Sequence, residues 1–268
     1  MKKFSVFIFA SILSVPVFSQ TSDEYYKRGR DAYDNENYQK AEIYFKKAAE
    51  EGSDDACGFL ASIYYYGLNN NGRVNIDLAS LWAKRAEKKS SVADAILSLI
   101  AYYKSDFGKT IEILDYWKDY ISTFPDDVKI ALAISYMMND NVLGRQRAEP
   151  LMKEVYNQWR KEDDKPLYFY SASAILAKIE FQKNWKWNDN VQKYLDVFGE
   201  IGSDNYMYCP LAAYVMGRYF RKVVEFKDFG EKCIEAAAKY NYKDNDYEVL
   251  YPFAEEIKQE YDIISRNK

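Results

Sequence analysis

The sequence contains no histidine. That removes every Ser–His and Cys–His catalytic pair and every His-containing zinc site. Its three cysteines, Cys57, Cys209 and Cys233, are too few and too scattered for an all-Cys metal site. Glycine and proline are scarce, at 11 and 6 of 268 residues. No glycine-rich phosphate loop is present, and the punctuation that a many-turned β fold needs is missing. No block of Lys and Arg reads as a phosphate-binding stripe, and a net charge of −4 opposes nucleic acid. After the first twenty residues no stretch reaches the roughly 18 apolar residues of a membrane span. These absences leave no metal, no cofactor and no catalytic residue to expect.

Aromatic residues are abundant instead, with 26 Tyr, 15 Phe and 5 Trp. The first residues form a separate object. Lys2 and Lys3 precede an apolar run from Phe4 to Phe18, and compact residues at Val17 and Ser19 suit cleavage before Gln20. This pattern predicts a signal peptide over 1–19 and one domain over 20–268, exported to a periplasmic or extracellular space. The leader carries two Lys and no acid, so the protein without it is more acidic still. An oxidising compartment would permit one disulfide, with Cys209 and Cys233 the candidates; the alternative is that all three thiols are small core residues.

Apolar residues recur at three- and four-residue steps almost throughout, and no alternating strand stands out. Pro125, Pro150, Pro166, Pro210 and Pro252 each read as the front of an apolar segment, where the missing N–H costs nothing. Asp126 and Asp127 add negative charge at the positive end of one such helix. The helices pair as 23–35 with 38–51, 54–67 with 76–89, 92–104 with 107–123, 126–138 with 145–160, 165–183 with 187–199, and 207–221 with 225–240. A last helix over 252–265 reads as a cap. Its stripe of Phe253, Ile257, Tyr261 and Ile264 faces the stack, and Glu255, Glu256, Lys258, Glu260 and Asp262 mostly face away. A period of about 35–43 residues is that of a helical solenoid, in which stacked neighbours bury what one hairpin cannot.

The first unit, YYKRGRDAYDNENYQKAEIYFKKAAEEG, resembles a tetratricopeptide repeat. Gly29, Ala41, Phe45 and Ala48 stand at its signature spacing. The small residues let two helices approach and admit the next repeat. The second unit is similar to the Sel-one-like subfamily, through Leu60, Tyr64, Gly67, Gly72, Val74, Ala79, Trp82 and Ala86. Ala61 replaces the usual Gly there, and the loop LNNNGRVNID is longer than usual. Over 207–240 the resemblance returns in part through Gly217, Cys233 and Ala236, with Phe229 in a slot usually held by Ala, which predicts a more open hairpin. The resemblance implies an all-α, right-handed superhelical solenoid of antiparallel helix pairs, about six hairpins plus a C-terminal capping helix.

It also implies where a ligand would sit, on the groove side of each first helix. That face selects Tyr26, Arg30, Tyr33 and Asp34 in the first unit, Gly58, Ser62, Tyr65 and Tyr66 in the second, and Tyr214, Arg218, Arg221 and Lys222 in the last. The last set gathers three cations beside an aromatic, which suits an acidic segment or the C-terminal carboxylate of a partner. The carboxylate pairs Glu50–Glu51, Asp54–Asp55 and Glu255–Glu256 sit where solvated helix faces put them. An EF-hand loop centred on Gly72 would run from Gly67 to Leu78, and both ends lack an oxygen ligand. The aromatic clusters Tyr64–Tyr66, Tyr116–Tyr120, Tyr168–Tyr170, Trp185 with Trp187, and Tyr206 with Tyr208 serve repeat packing. Consecutive aromatics on a helix still point in different directions, so each cluster must show one ring to solvent or to a partner.

The functional expectation is an exported scaffold that binds another protein or peptide segment and catalyses nothing. The alternative is a glycan- or cell-wall-binding module that uses exposed Tyr and Trp. A protein binder should show mixed charge and aromatics along its groove; a sugar binder should show coplanar rings beside Asn and Asp.

Overall fold

Side-chain caps set the helix starts. Thr21, Asn37, Ser53, Asn75, Asp106 and Asn188 each accept a hydrogen bond from a backbone N–H three residues on, which satisfies one otherwise unpaired donor of the first turn. The computed structural model describes residues 21–69, 72–140, 142–198, 209–240, 242 and 247–266. The predicted leader over 1–19, with its cleavage point at Ser19 and Gln20, lies outside them, as do Tyr206 and Tyr208.

Among the described residues the fold is all helical. The pairs are α1 (Ser22–Asp34) with α2 (Tyr38–Glu50), α3 (Asp54–Tyr65) with α4 (Ile76–Arg85), α5 (Ser91–Tyr103) with α6 (Phe107–Asp115), α7 (Asp126–Asn139) with α8 (Leu143–Trp159), α9 (Leu167–Asn184) with α10 (Asp189–Asp196), and α11 (Pro210–Phe220) with α12 (Lys227–Lys239). A 3-10 segment, Glu248–Phe253, then leads into α13 (Ala254–Arg266). Each hairpin packs on the next, giving the helical-hairpin solenoid that the periodicity predicts.

The two helices of a hairpin have different jobs. Residues 93–102 of α5, 128–137 of α7 and 171–181 of α9 are buried on every side. Such helices lie between a partner and two neighbours, so they carry apolar residues all round. Two core clusters meet on α5. Ile96, Leu97 and Ile100 belong to the one nearer the N-terminus, and Ala95, Leu99 and Tyr102 to the other. Two buried hydroxyls inside these helices are satisfied by their own backbone: Ser135 donates to Ala131 O at 2.7 Å and Ser173 to Phe169 O at 2.9 Å.

The small residues act as the spacing suggests. A Cβ on Gly29 would stand 2.6 Å from the Phe45 ring, so glycine there sets how closely α1 and α2 approach. Gly144 does the same for α7 and α8, where a Cβ would meet Tyr136 O at 2.0 Å.

Several expectations are corrected. The last hairpin is not open. Its close approach passes to Gly230, one residue beyond Phe229, where a Cβ would lie 2.5 Å from Arg221 N. Phe229 is displaced outward and packs edge-on against Phe220. Pro150 is not at a helix front but inside α8, on its exposed side. Pro125, Pro166 and Pro210 do stand at helix starts. Cys57, Cys209 and Cys233 are free and buried. Burial pushes the Cys209 and Cys233 thiols up to about 12 and about 11, keeping both neutral. The predicted stripe holds, with Phe253 at the end of the 3-10 segment and Ile257 and Ile264 of α13 buried and Tyr261 half-buried. Glu256 and Glu260 do not face away, and their partners bear on the site.

Candidate binding cavity

The three predicted ligand-facing sets have separate fates. The first lies largely against α3. Tyr26 and Tyr33 pack on Phe59 at 6.0 and 5.3 Å between ring centroids, and the Arg30 guanidinium lies 4.5 Å above the same ring while pairing with Asp34 at 3.4 Å. In the second set Gly58 and Ser62 are buried. Gly58 abuts Ser90 and Ala93 of the next hairpin, and Ser62 shares a 3.4 Å hydrogen bond with Tyr33.

The last set is covered by α13. Glu260 pairs with Arg218 at 3.2 Å and Arg221 at 3.0 Å, and it accepts the Tyr214 hydroxyl at 2.8 Å. One turn earlier, Glu256 accepts two hydrogen bonds from Lys178 of α9 at 2.6 and 2.7 Å. The cationic face thus has an acidic helical partner within the same polypeptide. Lys222 remains exposed, bonded to Trp185 O at 3.4 Å.

Tyr65 and Tyr66 have a different setting. They stand at the end of α3 on the wall of a cavity of about 660 Å³. The other walls are Ile100, Tyr103 and Lys104 at the end of α5, Asp127 at the start of α7, and Leu167, Tyr168 and Ser171 at the start of α9. Val74 and Ile76 close one side, and Glu248 and Val249 another. Gly67 and Gly72, at φ +65° and +80°, fold the backbone back on itself beside Tyr66, with Gly72 N–H donating to Gly67 O and Asn75 N–H to Tyr64 O.

Residues 248–251 reach the cavity through long-range bonds. The Tyr102 hydroxyl donates to Val249 O. The Tyr251 hydroxyl donates to Tyr102 O at 2.6 Å and lies 3.1 Å from Ser105 Oγ. Tyr103 and Tyr251 stack at 6.0 Å between centroids.

Among the described residues the charged groups bordering the cavity are Asp127, Glu248 and Lys104. The Tyr66 hydroxyl donates to Asp127 Oδ2 at 2.7 Å, and Val128 N–H donates to Asp127 Oδ1 at 2.8 Å. Burial nonetheless holds the Asp127 carboxyl above its usual range. The phenols of Tyr65, Tyr66 and Tyr103 are raised well above theirs, first by burial; Asp127 adds to all three, and Glu248 to Tyr65 and Tyr103. Tyr168 is pushed up to about 12 by burial and by Asp127 and Asp126. All four phenols therefore stay protonated and can both donate and accept. Ser171 Oγ is buried and has no hydrogen-bond partner among the described residues. No cluster of His, Cys, Asp or Glu able to hold a metal occurs among the described residues, and no helix there is long and apolar enough to cross a membrane.

Sequence reasoning found Tyr65 and Tyr66 as groove residues. It noted Tyr168 only as part of an aromatic cluster and Asp127 only as a helix-end charge. It missed Tyr103, Ser171 and Glu248, which nothing local marks.

No family model matches the sequence, and no curated protein matches it at a significant level. Among solved structures, a Sel1 repeat protein from Oxalobacter formigenes aligns with 81% of this protein at 16% identity and a TM-score of 0.43. The alignment spans 62% of the length of that protein.

Proposed function

We propose that this protein is an exported scaffold that binds a protein or peptide segment and catalyses nothing itself, with the tyrosine-lined cavity as its recognition site. One observation carries the reading. Tyr66, Val74, Ile76, Tyr103, Leu167 and Tyr168 are all exposed large apolar side chains, and all six line this one cavity. Scattered exposed apolar residues need no explanation, whereas a contiguous set around a concavity marks a binding surface. Tyrosines with protonated hydroxyls supply rigid contact area and adaptable hydrogen bonding, as protein interfaces require.

The cavity also mixes charges, with Lys104 beside Asp127 and Glu248. The glycan alternative needs side-by-side coplanar rings. Tyr65 and Tyr66 instead meet at 89°, and Tyr103 stacks on Tyr251. Export rests on the pattern of residues 1–19, and the scaffold role draws further support from the tetratricopeptide-like and Sel-one-like spacing.

A photoreactive phenylalanine analogue placed at Tyr168 tests the site in the native host. Cross-links to a polypeptide should form there and not from Tyr116 or Tyr120, exposed rings outside the cavity. Equal labelling from all three positions would remove the cavity as the site. Retention on insoluble cell-wall polysaccharide that is lost in Tyr103→Ala would favour the glycan reading.

A further inference from the structure

The cavity has a sign as well as a shape, and that sign selects its occupant. Among the described residues, two carboxylates, Asp127 and Glu248, and one cation, Lys104, border it. Each carboxylate reaches more than one wall electrostatically, since both act on Tyr65 and on Tyr103. Asp127 is the more telling of the two. It is anchored by Tyr66 and by Val128 N–H, and it still carries an unrelieved cost of burial. A carboxylate in that condition is stabilised by a cation brought beside it. Tyrosine ring faces attract the same charge.

The remaining walls are apolar: Val74, Ile76, Ile100, Leu167 and Val249. At about 660 Å³ the cavity has the size of a site that encloses a drug-sized ligand. That is more than one basic side chain needs, and the surplus is lined for hydrocarbon.

Resting on the peptide-binding reading above, we infer that the cavity accepts a lysine or arginine side chain of the partner, placed between Asp127 and Glu248 against the Tyr65, Tyr66, Tyr103 and Tyr168 hydroxyls, with apolar neighbours of that residue on the Val74–Ile76 and Leu167–Val249 walls. The charge runs opposite to that of the α11 face, whose cations Glu260 already pairs.

The test is a random peptide library selected on the purified protein, followed by affinity measurements on the selected peptides. The expected result is enrichment of Lys or Arg at one position, flanked by Leu, Ile, Val or Phe. Replacing that residue by norleucine should weaken binding about tenfold or more, the loss expected when one partner of an enclosed charge pair is removed. In the double variant Asp127→Asn, Glu248→Gln, with helicity and melting temperature checked, the Lys and norleucine peptides should bind within about twofold of each other. Tyr103→Ala should weaken both peptides alike. Selected peptides that lack a basic residue and still lose binding in Tyr103→Ala would overturn the charge inference and leave the peptide-binding reading standing. Enriched peptides that ignore both the double variant and Tyr103→Ala would move the site elsewhere and overturn the inference with it. Failure to select any peptide would remove both readings.

Discussion

Lys178 is a buried cation held between the Tyr214 and Phe253 rings, each 5.3 Å from its Nζ. Burial draws its pKa down, and Glu256 draws it back. Removing only the carboxylate strands the charge, so Glu256→Ala should cost about 3 kcal/mol in urea unfolding, whereas Lys178→Met should be nearly neutral. Equal losses from both would mean that the Lys178–Glu256 pair is itself net stabilising. Gly29 gives a test whose sign is the result. Gly→Ala inside a helix ordinarily gains about 1 kcal/mol. Here the new methyl would press on Phe45, and Gly29→Ala should instead lose about 1–3 kcal/mol. Asp127 has a pH signature. Its folded pKa is raised, so the folded state binds that proton more tightly than the unfolded state does. The resulting penalty is present above the folded pKa and absent below the unfolded one. Asp127→Asn should therefore hold or raise the urea midpoint at neutral pH, and any gain should shrink as pH falls through the carboxylate range. A clear loss at neutral pH would mean that the bonds to Tyr66 and Val128 N–H outweigh the desolvation.

The helices and their pairing were legible because their causes are local. Capping residues, three- and four-residue apolar steps and the Gly29–Ala41–Phe45–Ala48 spacing act within one hairpin. What misled was also local. Pro150 resembles the helix-front prolines, yet it lies on the exposed side of α8. Phe229 occupies the expected Ala slot, yet Gly230 beside it takes the close contact. The acids of α13 resemble a solvated face until the element opposite is known. Only tertiary packing shows that Lys178, Arg218 and Arg221 lie opposite Glu256 and Glu260. This makes α13 more than an apolar cap. Deleting residues 254–268 should uncover the face against Ile257 and Ile264 and leave those three cations without their acids. Light scattering should report association, and a dye that binds exposed apolar surface should brighten. An unchanged monomer would show that α12 needs no cover.

At the scale of the molecule, the site was legible only in part, because it belongs to no single repeat. Tyr66, Tyr103, Asp127 and Tyr168 come from four hairpins. Nothing in sequence spacing says that the ends of α3 and α5 will face the starts of α7 and α9. Glu248 and Val249 complete the wall from a distant part of the sequence. The Tyr102–Val249 bond closes 147 residues into a loop. In a stacked array, each repeat answers only to its neighbours; a bond across that interval couples the third hairpin to residues beyond the sixth. The same interval also sets a clock. At about 5–20 residues per second, synthesis reaches Val249 on the order of ten seconds after Tyr102. Until then Tyr66, Tyr103 and Asp127 can be present, but the wall made by Glu248 and Val249 cannot. A nascent polypeptide therefore has no finished cavity to offer, and a partner that needs this wall meets it only after all six hairpins have been made.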